Sequence, residues 1–120
     1  MTKVLVVEDN INARDAIVDY LQRLGFHVES AVTGSEAIDL GANFRPEFLI
    51  CDWILEGPFD GIGVTEKLLA LNLRPKVIFI TAMPLADLYR RCAHLEVKAF
   101  LAKPIDLKRL GGLVEAACSS

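Results

Sequence analysis

A chain of 120 residues, 52% apolar and 24% charged, has the size and balance of one ordinary domain with its own hydrophobic core, not of a disordered polymer. No apolar run approaches the roughly 18 residues of a membrane span, and the net charge of −3 argues against nucleic acid as a direct partner. The opening MTKVLVVEDN is no secretory signal, and three widely spaced cysteines without a CxxC pair or histidine cluster exclude a disulfide framework or thiolate metal site.

In chain order, Lys3 to Val7 (KVLVV) is a short unbroken apolar run, expected as a strand covered on both faces. Ile17, Tyr20, Leu21 and Leu24 then fall at helical spacing, with Gly25 as a C-terminal stop and Asp9 or Asn10 as the cap. Phe26 to Ala31 alternates, which suits a strand nearer an edge. Thr33-Gly-Ser-Glu36 is a capping-box pattern opening a second helix. Phe48 to Cys51 is the third strand. A helix around Gly63 to Leu71 carries Val64, Leu68 and Leu71. Lys76 to Ile80 (KVIFI) is the fourth strand, and the fourth helix follows Pro84, a residue suited to a first helical turn. Val97 to Leu101 is the fifth strand. Asp106 caps a last helix whose apolar face is Leu107, Leu110, Leu113, Val114 and Ala117, weakened by Gly111-Gly112.

Five strand–helix alternations call for one α/β domain, 1–120: a parallel sheet with helices on both faces. Ligands of such sheets bind at the carboxyl ends of the strands. The residues there are Glu8 and Asp9 after the first strand, Asp52 after the third, Thr81 after the fourth and Lys103 after the fifth. Each alone has an ordinary reading, as helix cap, turn residue or solvated lysine, but chance would scatter them to both ends of the sheet. Neighbouring carboxylates about 4 Å apart repel by about 4 kcal/mol at an effective dielectric near 20, so the cluster needs a cation. Oxygen ligands without nitrogen or sulfur suit Mg²⁺, which prefers to share its shell with a phosphate. A carboxylate nucleophile, a metal, an ammonium and a hydroxyl make a site for a phosphoryl group.

In this order and spacing, VLVVEDN, LICDW, FITA and FLAKP resemble the bacterial response-regulator receiver domain, from Lys3 to about Ala117. The resemblance implies the strand order 2-1-3-4-5, which is also the order given for this fold by a well-known member of the family. It implies that Asp52 accepts a phosphoryl group from a histidine kinase or histidine phosphotransfer protein, that Glu8, Asp9, Asp52 and the backbone carbonyl of Ile54 hold Mg²⁺, and that Thr81 and Lys103 contact the phosphoryl group. Thr81 and Phe100 match the switch pair, and Pro104 a proline usually preceded by a cis peptide bond. Phosphorylation would then remodel the surface of the fourth helix, fifth strand and fifth helix, for a downstream protein, an output domain or a homodimer. The implied role is regulatory rather than enzymatic, in the cytoplasm. The chain would either stand alone or form part of a longer regulator or hybrid kinase.

The sequence departs from the family pattern D-x-x-M-P-x-M-D-G after Asp52, where Leu55-Glu56 replaces Met-Pro and one extra residue precedes Asp60-Gly61, read as a turn. Ile54 and Met83, two residues past Asp52 and Thr81, are apolar and cannot orient an attacking water, which predicts slow autodephosphorylation. Trp53 is expected to point away from Asp52 or onto the rim, as a partner contact or a cover for a helix. Arg90-Arg91 lies on a partner surface or a solvated helix face. His27 and His94 fall away from the acidic rim. A phosphatase of the haloacid-dehalogenase type also uses an aspartate after an apolar strand, but needs a second aspartate where this chain has Ile54. A degenerate receiver acting only as a binding module is opposed by the complete set of Glu8, Asp9, Asp52, Thr81 and Lys103.

Overall fold

In the computed structural model, which describes residues 1–118, strands and helices alternate along the whole chain. The elements are β1 (Lys3–Val7), α1 (Ile11–Arg23), β2 (His27–Ala31), α2 (Gly34–Phe44), β3 (Phe48–Asp52), α3 (Gly61–Ala70), β4 (Lys76–Thr81), α4 (Leu85–Arg91), β5 (Ala99–Ala102) and α5 (Leu107–Cys118). The five strands are all parallel and ordered β2-β1-β3-β4-β5, as expected.

Alternation along the strands splits the core in two. Leu5, Val7, Leu49, Cys51, Val77 and Phe79 face α2, α3 and α4. Val4, Val6, Phe48, Ile50, Ile78 and Ile80 face α1 and α5. This is why β1, β3 and β4 are unbroken apolar runs: both of their faces are covered. The edge strand β2 alternates, with Val28 and Ala31 inward and Glu29 exposed.

The helix ends follow from local chemistry. Asn10, not Asp9, caps α1, accepting from Ala13 N–H at 2.9 Å. Thr33 Oγ1 accepts from Glu36 N–H at 3.2 Å at the start of α2. Asp106 Oδ1 accepts from Arg109 N–H, and Leu110 and Val114 of α5 are fully buried.

Three expectations are corrected. Helix α3 begins at Gly61 because Asp60 accepts from Gly63 N–H at 2.8 Å; Asp60-Gly61 is a helix start rather than a free turn. Leu24 and Leu71 are cap residues with 37% and 47% of their surface exposed, outside the buried stripes assigned to them. Helix α4 does follow Pro84, which is its N-cap residue, where the missing N–H costs nothing. Strand β5 starts at Ala99, two residues later than the apolar run suggests.

Candidate functional site: an acidic rim with an internal lysine

Strands β3 and β4 each run one residue further than their apolar stretches, so Asp52 and Thr81 are the last residues of strands. Single ladder-like bonds continue past the strand ends. Glu8 N–H donates to Ala31 O at 3.2 Å, Trp53 N–H to Ile80 O at 2.9 Å and Lys103 N–H to Thr81 O at 2.9 Å. The rim residues are thereby fixed by main-chain bonds to neighbouring strands, not carried on free loops. The Lys103–Pro104 peptide is cis, as the resemblance implied.

Glu8 and Thr81 are fully buried and Asp52 is 5% exposed. Lys103 Nζ donates to Asp52 Oδ2 at 2.6 Å and lies 2.8 Å from Glu8 Oε1. The second contact is ionic rather than an aligned hydrogen bond, since Glu8 Oε1 has no hydrogen-bond partner among the described residues. Glu8, Asp9 and Asp52 each offer a carboxylate oxygen, all within 4.8 Å of one another. Thr81 Oγ1 accepts from Met83 N–H at 2.9 Å, a bond that does not use the hydroxyl proton.

The electrostatics follow from this crowding. Burial and the Glu8 carboxylate push Asp52 up to about 6, against the pull of Lys103. Burial also works to raise Glu8, but Lys103 and Asp52 together hold it below its ordinary value. Burial and Glu8 raise Asp9. Lys103 is raised: burial opposes its charge, and the two carboxylates more than compensate. The titrations of Glu8 and Asp52 are therefore interdependent, with Asp52 the carboxylate that holds its proton to higher pH. A pair of buried carboxylates with one internal ammonium and a third acid at the edge is a site that gains from a divalent cation.

The neighbouring side chains are sorted by the same alternation. Trp53 shares the face of Leu49 and Cys51, away from Asp52, and is only 5% exposed. It is a core residue covering the helices of that face, and its indole N–H has no hydrogen-bond partner among the described residues. Ile54 and Met83 are about half exposed and, with Trp53, Asp60, Asp87 and Arg91, border an open depression of about 710 Å³ beside the rim. Phe100 lies opposite Phe79 in the register of β4 and β5, half-buried, with its ring edge-on to Tyr89 at 4.6 Å. Ala102, opposite Thr81, leaves little bulk beside that hydroxyl. Arg90 pairs with Asp87 on α4, and Leu88, fully buried, belongs to the core. His27 packs edge-on to Phe44 and His94 pairs with Glu66.

Two supports gave no usable signal in the sequence. Arg14 donates to Glu8 O at 2.9 Å from α1, fixing the end of β1. A Cβ at Gly61 would lie 2.6 Å from Asp52 O, so the start of α3 abuts the backbone of Asp52 itself.

Comparison with known proteins agrees with this geometry. A family model described as the response regulator receiver domain matches residues 4–115. A cyclic di-GMP phosphodiesterase of Thermotoga maritima is 33% identical over 107 residues, 89% of this chain but 28% of that protein. Sporulation initiation phosphotransferase F of Bacillus subtilis is 25% identical over 113 residues, 94% of this chain and 90% of that protein. The chain thus spans a minor part of the first relative and nearly all of the second. A CheY-like receiver domain protein from Methanospirillum hungatei superposes with a TM-score of 0.90 at 21% identity, covering 99% of this chain and 94% of that one, a likeness of fold. The signal receiver domain of a modulated diguanylate cyclase from Desulfovibrio desulfuricans superposes at 0.85 with 29% identity, over 98% and 93%. The chain belongs to the response regulator receiver domain family, the aspartate-phosphorylated regulatory modules of two-component systems.

Proposed function

We propose that residues 1–120 act as one receiver whose Asp52 takes a phosphoryl group from the phosphohistidine of a sensor histidine kinase or histidine phosphotransfer protein. The observation that carries this reading is the Lys103 ammonium 2.6 Å from Asp52 and 2.8 Å from Glu8, at the carboxyl edge of a 2-1-3-4-5 sheet. An Asp52 oxygen attacks phosphorus, the P–N bond breaks, and the imidazole leaves, taking up a proton. Glu8, Asp9, Asp52 and the carbonyl of Ile54 would hold Mg²⁺, which when bound neutralises charge on the transferring group. Lys103 turns from the carboxylates to the new phosphoryl oxygens, and Thr81 directs its hydroxyl at them.

The donor would land on the lysine side of the rim. Ile11 is 59% exposed, and an apolar groove of about 540 Å³ runs from Asn10 and Ala13 to Pro104 and Leu107 beside Lys103. On the output side, phosphorylation adds about 1.5–2 negative charges. Thr81 moves toward them, Phe100 repacks against Tyr89, and the α4–β5–α5 surface presented to a downstream protein, output domain or second copy changes. The unpaired thiols of Cys51 and Cys92 in the core suit a reducing, cytoplasmic setting. Among the described residues no helix is long and apolar enough to cross a membrane.

Labelling with a small phosphodonor such as acetyl phosphate plus Mg²⁺, or with candidate kinases, tests the reading. Wild type should gain one phosphoryl group and Asp52→Asn none. An unlabelled wild type, or equal labelling of the variant, would overturn it.

A further inference from the structure

The loop from Ile54 to Asp60 carries one residue more than the common pattern, yet it is held at several points. Gly61 N–H donates to Trp53 O at 2.7 Å and closes its ends. Leu55 is buried in the core on the α2–α3–α4 face, and Phe59 packs on the same core. The Lys67 ammonium lies over the Phe59 ring, 5.7 Å from its centroid. The main chain of Phe59 also sits against the first residue of α2. A Cβ at Gly34 would stand 2.6 Å from Phe59 O, 2.8 Å from Phe59 Cβ and 3.1 Å from Val64 Cγ2.

Gly34 does not have a left-handed φ, so its backbone has no need of glycine. Helix propensity would favour alanine there by up to about 1 kcal/mol. The glycine is required by space: the blocking atoms are backbone and Cβ, which no rotamer change moves. Leu55 anchors the loop next to Ile54 and the Phe59 seat fixes its far end, so losing that seat would free residues 56–58 to shift the path leading back to Ile54.

We infer that the contact of Phe59 with Gly34 is a positioning device that holds the β3–α3 loop so that the Ile54 carbonyl faces the metal. This rests on the Mg²⁺ reading above. Mg²⁺ demands near-octahedral geometry at about 2.0–2.1 Å, so a carbonyl displaced by a few tenths of an ångström is a poor ligand. Asp52, the last residue of β3, and Glu8, tied by its N–H to Ala31 O just past β1, do not depend on this seat. Phe59 and Gly34 therefore tune metal affinity from outside the ligand set.

The test is an equilibrium Mg²⁺ titration followed by the fluorescence of Trp53, the only tryptophan, adjacent to Asp52. Wild type, Gly34→Ala, Phe59→Ala, Phe59→Leu and the direct-ligand control Asp9→Asn are compared, with urea unfolding in EDTA alongside. Gly34→Ala and Phe59→Ala should each weaken Mg²⁺ binding about tenfold, the scale of outer-shell changes, and Phe59→Leu should recover most of it. If both are less stable in EDTA but bind Mg²⁺ as wild type does, Phe59 is merely structural and the inference fails while the Mg²⁺ reading stands. If wild type itself shows no Mg²⁺ response, the reading beneath the inference fails. Should Gly34→Ala not fold, Phe59→Ala and Phe59→Leu decide the matter alone.

Discussion

Replacing Asp52 by asparagine removes a carboxylate that the metal-free fold holds at a cost. Asp52 titrates near 6 in the folded chain against an ordinary 3.8. The native state therefore keeps a proton that the unfolded chain releases between about pH 4 and 6, and stability falls as pH rises through that window. About two pH units at about 1.4 kcal/mol each put the cost near 3 kcal/mol at neutral pH. Two effects oppose the gain from removing it: Lys103 loses its 2.6 Å partner, and an amide is a weaker acceptor. The net expectation is that Asp52→Asn is more stable than wild type by about 1–2 kcal/mol at pH 7.5 in EDTA. That corresponds to a Tm rise of about 4–12 °C. The difference should shrink toward zero or reverse by pH 4, where wild-type Asp52 is already neutral. Urea denaturation at several pH values, read by Trp53 fluorescence, measures it. Saturating Mg²⁺ should stabilise wild type more than the variant, since only wild type offers all three carboxylates. A variant no more stable at pH 7.5, or a pH-independent difference, would refute the picture of a charge held under strain beside Glu8.

Two further outcomes are expected. Ile54→Asn and Met83→Glu place polar groups beside the phosphoryl site, where each can orient water, so decay of phospho-Asp52 should quicken by about tenfold in at least one variant; unchanged half-lives in both would sink the shielding role of these side chains. Gly112 faces open space inside α5 whereas a Cβ at Gly111 would meet Tyr20 and Leu24 at 2.7 and 2.8 Å, so Gly112→Ala should raise unfolding stability by about 0.5–1 kcal/mol and Gly111→Ala should gain less or lose. Equal gains at both positions would show that α1 and α5 are not in close contact at Gly111.

Much of the architecture was legible because β1, β3 and β4 are buried on both faces, and only apolar residues survive there. The rim was legible for a related reason: in a parallel sheet all strands end on one side, so reading the one or two residues after each apolar run collects Glu8, Asp9, Asp52, Thr81 and Lys103 without knowing any distance. Chain order also sufficed for the caps Thr33 and Asp106, whose acceptor bonds are local. The boundaries that slipped depend on partners distant in sequence. Strand β5 starts late because Ala99, not Val97, finds its register opposite Ile78. Leu24 and Leu71 satisfy helical spacing but fall where their helices end. The face of Trp53 followed from alternation; its burial depended on the helices above it. The seat of Phe59 against Gly34 leaves no pattern at all, since a glycine kept for space is indistinguishable in one sequence from a glycine kept for a turn.

Lys103 joins parts of the sheet that the chain itself connects only through long crossovers. It follows the edge strand β5, a four-residue element, while Asp52 ends the interior strand β3 and Glu8 lies one residue past the interior strand β1. The ammonium thus acts as a non-covalent tie from the margin of the sheet to its centre, and its anchorage depends on what occupies the rim. A metal that competes with the lysine for the carboxylates, or phosphoryl oxygens that compete with the carboxylates for the lysine, would redistribute that tie. The local opening rate of β5, visible as amide hydrogen exchange at Phe100 and Leu101, then becomes a report on the chemical state of Asp52 two strands away.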